Sequence, residues 1–177
     1  MEVTLNITRS MRLILLNVFC LLIISCSSSK PFSITGIPGK KTLKGTWEVT
    51  DIRFIGEAGI YKAKIFDIAD SPCFKGSQWV FIPNNGTGKF TVNESNNCYS
   101  ITQRILWSYF ESEEDLHLQF KKVNEKNKPL SEDGVGYRML LKDLSSSEME
   151  TRIQTSEGGK PFEVVLTFQK VSENITL

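Results

Sequence analysis

Few residues of the 177-residue chain have the types and spacing that enzymatic chemistry requires. His117 is the only histidine, and it alternates with Leu116 and Leu118, so its side chain is expected to point to solvent without an orienting partner. The carboxylates of residues 113–115 fall at a predicted turn tip, whereas hydrolytic carboxylates need a cleft. No glycine-rich phosphate loop precedes a helix. We therefore expect no catalytic residue, no cofactor and no enzymatic activity.

Cysteine is the other residue type with chemical potential, and it occurs at Cys20, Cys26, Cys73 and Cys98. One histidine and no Cys-x-x-Cys pair argue against a metal site. A reactive thiol pair would normally lie closer in sequence than Cys73 and Cys98 do. In an exported domain two such cysteines usually pair, and the loop they enclose predicts a stabilisation of about 3 kcal/mol.

The first 25 residues have the pattern of a secretory signal peptide. Arg9 and Arg12 precede the apolar run 13–24, and small residues follow it. Twelve helical residues span about 18 Å, which is less than the roughly 30 Å hydrocarbon core of a bilayer. We therefore predict that residues 1–25 are cleaved and that the mature protein is exported to an oxidising compartment, where Cys73 and Cys98 form a disulfide.

The end of this segment, Ile23-Ile24-Ser25-Cys26, resembles the lipobox of bacterial lipoproteins. In that family the cysteine thiol takes diacylglycerol and the chain is cut just before it, which implies Cys26 as the lipidation site. Ser27 follows instead of aspartate, and in the family this favours the outer membrane. The resemblance thus implies a lipid-anchored protein of the bacterial cell envelope, at the outer membrane and facing the periplasm. An ordinary signal peptide that contains a cysteine is the alternative.

Residues 26–42 are rich in serine, glycine and proline, a composition typical of a flexible tether. The chain contains 21 basic and 20 acidic residues, a net charge of +1, so it has no strong basic field for nucleic acid.

From residue 43 onward, apolar side chains recur at every second position, which predicts an all-β domain. A hairpin joins residues 79–81 to 90–92 across Pro-Asn-Asn-Gly-Thr-Gly, and a change of phase near Thr50 predicts a β-bulge. Residues 60–68 fit either a strand or a short lid helix. Eight, or with this segment nine, short strands in simple succession favour an up-and-down antiparallel barrel. An immunoglobulin-like sandwich would need longer crossovers.

The opening Gly45-Thr-Trp47 resembles the Gly-x-Trp motif of lipocalins and of bacterial lipocalin-like lipoproteins. Cys73, the Trp79–Phe81 hairpin and Cys98 follow in the order found in those lipoproteins. The resemblance implies a barrel over residues 43–171, a tail at 172–177, Trp47 at the closed end and an interior that can hold an apolar molecule. The charged stretch 121–133 is longer than a hairpin needs, and it fits either a mobile loop over the barrel mouth or a solvated connection.

The inward positions of the predicted barrel are the only remaining candidate binding site. They are Trp79, Phe81, Phe90, Tyr99, Trp107, Leu118, Tyr137, Met139, Phe162 and Leu166. We predict a membrane-anchored, non-enzymatic protein that binds or carries a small hydrophobic molecule, such as a fatty acyl chain. The alternative is an envelope interaction module with a packed core and an unknown protein partner. An isomerase, which lipocalin-type folds include, is a distant third.

Overall fold

The structure is a computed structural model that describes residues 38–56, 63–95, 97–112 and 115–175. A 3₁₀ turn at Lys40–Leu43 precedes the first strand, and a second one, Ser71–Phe74, follows the third. The strands are β1 (Gly45–Ile55), β2 (Lys64–Ile65), β3 (Ala69–Asp70), β4 (Gln78–Ile82), β5 (Thr87–Val92), β6 (Ile101–Glu111), β7 (Leu116–Val123), β8 (Tyr137–Leu144), β9 (Glu148–Glu157) and β10 (Lys160–Ser172).

Eight of these strands form a closed antiparallel barrel in the order β1-β10-β9-β8-β7-β6-β5-β4, which confirms the predicted fold class. The barrel closes where Gly45–Glu48 of β1 pair with β4, while the rest of β1 continues along β10. The register of β1 against β10 shifts between Val49 and Asp51, which confirms the predicted bulge at Thr50. β2 and β3 pair only with each other, so the described part of segment 60–68, residues 63–68, adds no ninth strand to the barrel.

The end of the barrel at which β1 begins, called the lower end here, is closed by the first 3₁₀ turn. Leu43 of this turn is fully buried, and its carbonyl oxygen accepts a hydrogen bond of 2.9 Å from Nε1 of Trp47. Gly45 has a φ of +119°, and a Cβ there would collide with the carbonyl oxygen of Ser172, so only glycine fits. In the Gly-x-Trp sequence, the glycine thus lets β1 pack closely against Ser172, and the tryptophan holds the 3₁₀ turn through its hydrogen bond.

The opposite, upper end carries residues 63–77 and the loops that follow β5 and β7. A disulfide joins Cys73 to Cys98, with Cα atoms 5.5 Å apart, and confirms the predicted pairing. It ties the second 3₁₀ turn to the loop between β5 and β6. Closing a loop with a sequence separation of 25 residues stabilises the fold by about 3 kcal/mol in the chain-entropy picture.

One predicted barrel position is wrong. Tyr99 is 86% exposed and does not line the interior. The alternation of apolar residues continues through it, but β6 begins only at Ile101, and an isolated bridge pairs Ser95 with the disulfide cysteine Cys98. The side chain therefore lies on the outer surface of the upper end.

Most of the predicted N-terminal region is not described by the structure, so its predicted signal peptide and tether stay predictions. The signal peptide, Cys26 and residues 26–37 of the predicted tether lie outside the described residues. Lys40–Leu43, which overlap the end of the predicted tether, are the 3₁₀ turn packed on the barrel. Within the described ranges, no helix has the length and apolar character needed to cross a membrane.

Candidate functional site

A hairpin formed by β2 and β3 places one phenyl ring in the upper end of the barrel. Its turn is closed by a hydrogen bond of 3.1 Å from the amide of Ile68 to the carbonyl oxygen of Ile65. The two central residues, Phe66 and Asp67, have φ values of +57° and +52°, as in a type I′ turn. Glycine or asparagine normally occupies such positions, so a phenylalanine there is a backbone outlier. Phe66 is nevertheless only 4% exposed.

The ring of Phe66 is surrounded by five other aromatic rings, which we call the aromatic chamber. Four of them meet it edge-to-face, at interplanar angles of 66–84° and centroid distances of 5.0–5.8 Å, and the fifth is tilted at 6.4 Å. The chamber residues are Phe74, Trp79, Phe90, Phe120 and Tyr137. Because side chains from β4, β5, β7 and β8 all contribute, the chamber is part of the barrel wall, while its occupant comes from the hairpin.

Two side chains of the barrel hold the hairpin in place. The ammonium group of Lys122 donates a hydrogen bond of 3.0 Å to the carbonyl oxygen of Phe66. The hydroxyl group of Tyr137 donates one of 2.8 Å to a carboxylate oxygen of Asp67. The Lys122 ammonium also lies 5.1 Å from the centroid of the Tyr137 ring. We call these two hydrogen bonds the latch.

Burial raises the pKa of Tyr137 to about 12, and the hydrogen bond and negative charge of Asp67 add to this effect. The hydroxyl group therefore remains a donor throughout the physiological range. Because the pKa is raised on folding, the latch contribution is complete below pH 10 and is lost as the pH rises through about 12.

We expect an ultraviolet titration of tyrosinate absorbance to show a step near pH 12 that is missing in Tyr137→Phe. When the pH is raised from 10 to 12, the free energy of unfolding, measured by urea denaturation, should fall less in this variant than in the wild type. Tyr99→Phe, at an exposed position, serves as the control and should retain the step. A wild-type titration without a high-pH step that depends on Tyr137 would contradict the latch.

The structure places most of the predicted lining residues in the interior. Trp79, Phe81, Phe90, Trp107, Leu118, Met139, Phe162 and Leu166 are all at most 4% exposed. Tyr137 is half-buried at the rim of the chamber, and Trp79 stacks on Phe90 at 4.5 Å. Phe162 lies apart from the chamber, against Phe54. That these residues bind a ligand remains a prediction.

Three residues of the chamber region were not among the predicted lining: Phe66, Phe74 and Phe120. Phe120 follows the alternation of β7, so the pattern contained a signal for it. Phe66 and Phe74 lie outside the barrel strands, where alternation gives no information. The interpretation of residues 60–68 as a possible lid was the nearest indication.

Among the described residues, three cavities border the barrel wall, while Phe66 occupies the aromatic chamber. One of about 500 Å³, called the mouth cleft here, touches the latch residues Asp67, Lys122 and Tyr137 and is bordered by Ile101 and Leu130. A second, of about 670 Å³, lies along β6, β7 and β8 and is bordered by polar side chains such as Gln119 and Arg138. A third, of about 230 Å³, adjoins the disulfide.

The described residues offer little for catalysis. They contain no cluster of three or more His, Cys, Asp or Glu side chains that could hold a metal ion. The expectation that His117 points to solvent needs correction, because its ring is half-buried beside that of Phe110 at 5.9 Å. Its Nδ1 has no hydrogen-bond partner there. Asp115 pairs with Lys142 at 3.5 Å, and residues 113–114 lie outside the described ranges.

No family model matches the sequence, and no curated protein matches it either. Among solved structures, the chain is similar to bovine odorant binding protein in complex with a selenium-containing odorant, at 14% identity and a TM-score of 0.38, over 82% of this chain and 79% of that one. Bovine odorant binding protein with its natural ligand gives 13% identity and a TM-score of 0.40, over 81% and 79%. A third structure, odorant-binding protein from bovine nasal mucosa, gives 13% identity and a TM-score of 0.38, over 82% of this chain and 80% of that one.

Proposed function

We propose that this chain is a membrane-anchored, non-enzymatic protein that binds a small hydrophobic molecule in the aromatic chamber, after Phe66 withdraws from it. One observation carries the proposal: four of the five chamber rings come from barrel strands, but the ring that fills the chamber is delivered by a separate two-stranded hairpin. The backbone of a wall residue is held by its strand pairing and cannot withdraw together with its ring. A ring on the hairpin can leave while the eight strands stay paired.

The energetics of Phe66 support an exchange of occupants. Burying a phenylalanine side chain contributes about 1.5–3 kcal/mol. Holding a non-glycine residue in the left-handed region costs about 1–2 kcal/mol. The backbone strain therefore offsets part of the burial of the ring, and an open state must replace the ring contacts and the two latch hydrogen bonds. A ligand that buries as much apolar surface in the chamber then shifts the population to the open state.

The binding test uses the full chain in phosphatidylcholine vesicles, with a fluorescent fatty acid and an uncharged naphthalene dye as probes. We expect at least one probe to bind, and Phe90→Ala to raise its Kd about tenfold because one wall of the chamber is lost. Val171→Ala, at a half-exposed apolar position of the lower end, is the control and should leave the Kd unchanged. Absence of binding by both probes and by the three smaller probes described below would remove the proposal.

The anchor is part of the same proposal and has its own test. Radiolabelled palmitate should enter the wild type and not the variant Cys26→Ala, since Cys26 is the lipobox cysteine. Cys20→Ala is the matched control, and it should be labelled like the wild type. Equal labelling of Cys26→Ala would contradict the anchor and, with it, the proposed position at the outer membrane facing the periplasm.

A second candidate function is an envelope interaction module, and the cavity along β6–β8 favours it. This groove is the largest of the three cavities, and its polar border includes a chain of hydrogen bonds from Arg138 to Gln119 and from Gln119 to Ser108. The buried interior would then serve only as a core. Failure of both probes in the binding test, with intact lipidation, would favour this candidate.

A further inference from the structure

The turn of the hairpin presents three chemical groups to the barrel, and each has a partner in the wall. The phenyl ring of Phe66 fills the aromatic chamber. The main-chain carbonyl oxygen of Phe66 accepts a hydrogen bond from Lys122. The carboxylate of Asp67 accepts one from Tyr137. The wall therefore receives a ring together with two oxygen acceptors a few bonds away from it.

Withdrawal of the hairpin would leave both donors of the wall without these acceptors. Among the described residues no carboxylate forms an ion pair with Lys122, a half-buried residue whose ammonium group lies 5.1 Å from the centroid of the Tyr137 ring. An ammonium group that loses its hydrogen bond in such a place is costly unless an acceptor replaces it. Binding thus favours a ligand that brings an oxygen acceptor, and a negative charge matches the unpaired cation best.

The chamber adds a requirement of shape. Four of its five rings meet the Phe66 ring edge-to-face, which is an arrangement that aromatic rings favour. A flexible acyl chain can fill the same volume, but it cannot present a flat ring with a polarised edge. An uncharged aromatic ligand can make the edge-to-face contacts, but it leaves the donors Lys122 and Tyr137 without acceptors.

We infer that the ligand of the chamber is a small aromatic acid, in which a single planar ring replaces that of Phe66 and a carboxylate takes the hydrogen bonds of Lys122 and Tyr137. This inference rests on the proposed function and narrows its ligand to one chemical class. The mouth cleft, bordered by both donors, is the entry path from solvent to the chamber. Asp67 is the internal competitor of the ligand carboxylate.

The test compares three probes by isothermal titration calorimetry on the full chain in phosphatidylcholine vesicles, with empty vesicles as the blank. They are 3-phenylpropanoate, with ring and acid; octanoate, with acid only; and 3-phenylpropan-1-ol, with ring only. We expect the Kd of 3-phenylpropanoate to be at least tenfold lower than that of either other probe. In the variant Asp67→Asn, at an exposed position, the Kd of 3-phenylpropanoate should be about threefold lower than in the wild type, because a weaker latch makes the hairpin easier to displace.

Lys122→Gln tests the role of the ammonium group. Because this change also weakens the latch, the informative quantity is the ratio of the Kd for the acid to that for the alcohol. We expect the ratio to rise about tenfold in Lys122→Gln and to stay unchanged in Lys128→Gln, which removes an exposed lysine of the neighbouring loop.

The possible failures are distinguishable. Octanoate binding as tightly as 3-phenylpropanoate would overturn the aromatic class and leave the proposed function standing. An unchanged ratio in Lys122→Gln would overturn the role of the carboxylate. No binding of these three probes, of the fluorescent fatty acid or of the naphthalene dye would overturn both the inference and the function on which it rests.

Discussion

Trp79→Ala is expected to lower the free energy of unfolding by about 4 kcal/mol. Trp79 is fully buried, and its ring contacts those of Phe66, Phe81, Phe90, Phe120 and Phe168. Its Nε1 also donates a hydrogen bond of 3.1 Å to the hydroxyl of Ser77, which is itself buried. Alanine would leave a cavity and an unsatisfied hydroxyl group.

Urea denaturation measures this effect, and the m-value shows whether the transition remains two-state. Tyr99→Ala is the matched control, because it truncates an aromatic side chain that is 86% exposed. It should change the free energy of unfolding by no more than about 0.5 kcal/mol. Similar losses for Trp79→Ala and Tyr99→Ala would contradict the packing of the barrel interior.

Phe66→Ala is expected to destabilise the protein by about 3 kcal/mol and to open the chamber. An apolar cavity lined by rings remains dry and takes up small aromatic molecules, so the variant should bind benzene, while the wild type binds it at least tenfold more weakly. The destabilisation is measured by urea denaturation, and benzene uptake by its effect on the melting temperature.

Phe66→Gly distinguishes the contribution of the phenyl ring to stability from the cost of the left-handed backbone conformation. Glycine also removes the ring, but it adopts a φ of +57° without strain, so Phe66→Gly should be about 1 kcal/mol more stable than Phe66→Ala. This order is the reverse of the one found in ordinary secondary structure, where alanine is favoured. If alanine were the more stable variant, the left-handed turn and the argument for an exchangeable occupant would both fail.

The barrel could be predicted from the sequence because its strands have one buried face. Met139 and Leu141 alternate with the half-buried or exposed Arg138 and Lys142, and β9 and β10 repeat the pattern. Such alternation determines both the strand and the face that is buried. The bulge at Thr50 was also predictable, because a change of phase within one strand has few other causes.

The occupant of the chamber could not be predicted in the same way. Turn chemistry indicates glycine or asparagine where φ is positive, so Phe66 and Asp67 gave no turn signal. Phe66 is buried in this conformation among five rings, four of which come from barrel strands, and a local pattern does not contain that information. The prediction for Tyr99 was wrong for the opposite reason. The alternation of apolar residues continues through Tyr99, but the strand begins only at Ile101.

The path of β1 has a consequence for the order of folding. The first strand of the barrel lies between β4 and β10, and its partner residues on β10 are more than a hundred positions away in sequence. Such non-local pairing makes folding slow, typically on a scale of milliseconds to seconds. The cylinder cannot close until the last strand has been synthesised and has reached the first. A nascent chain therefore lacks the closed barrel until β10 has been made, even when the seven other strands are already present.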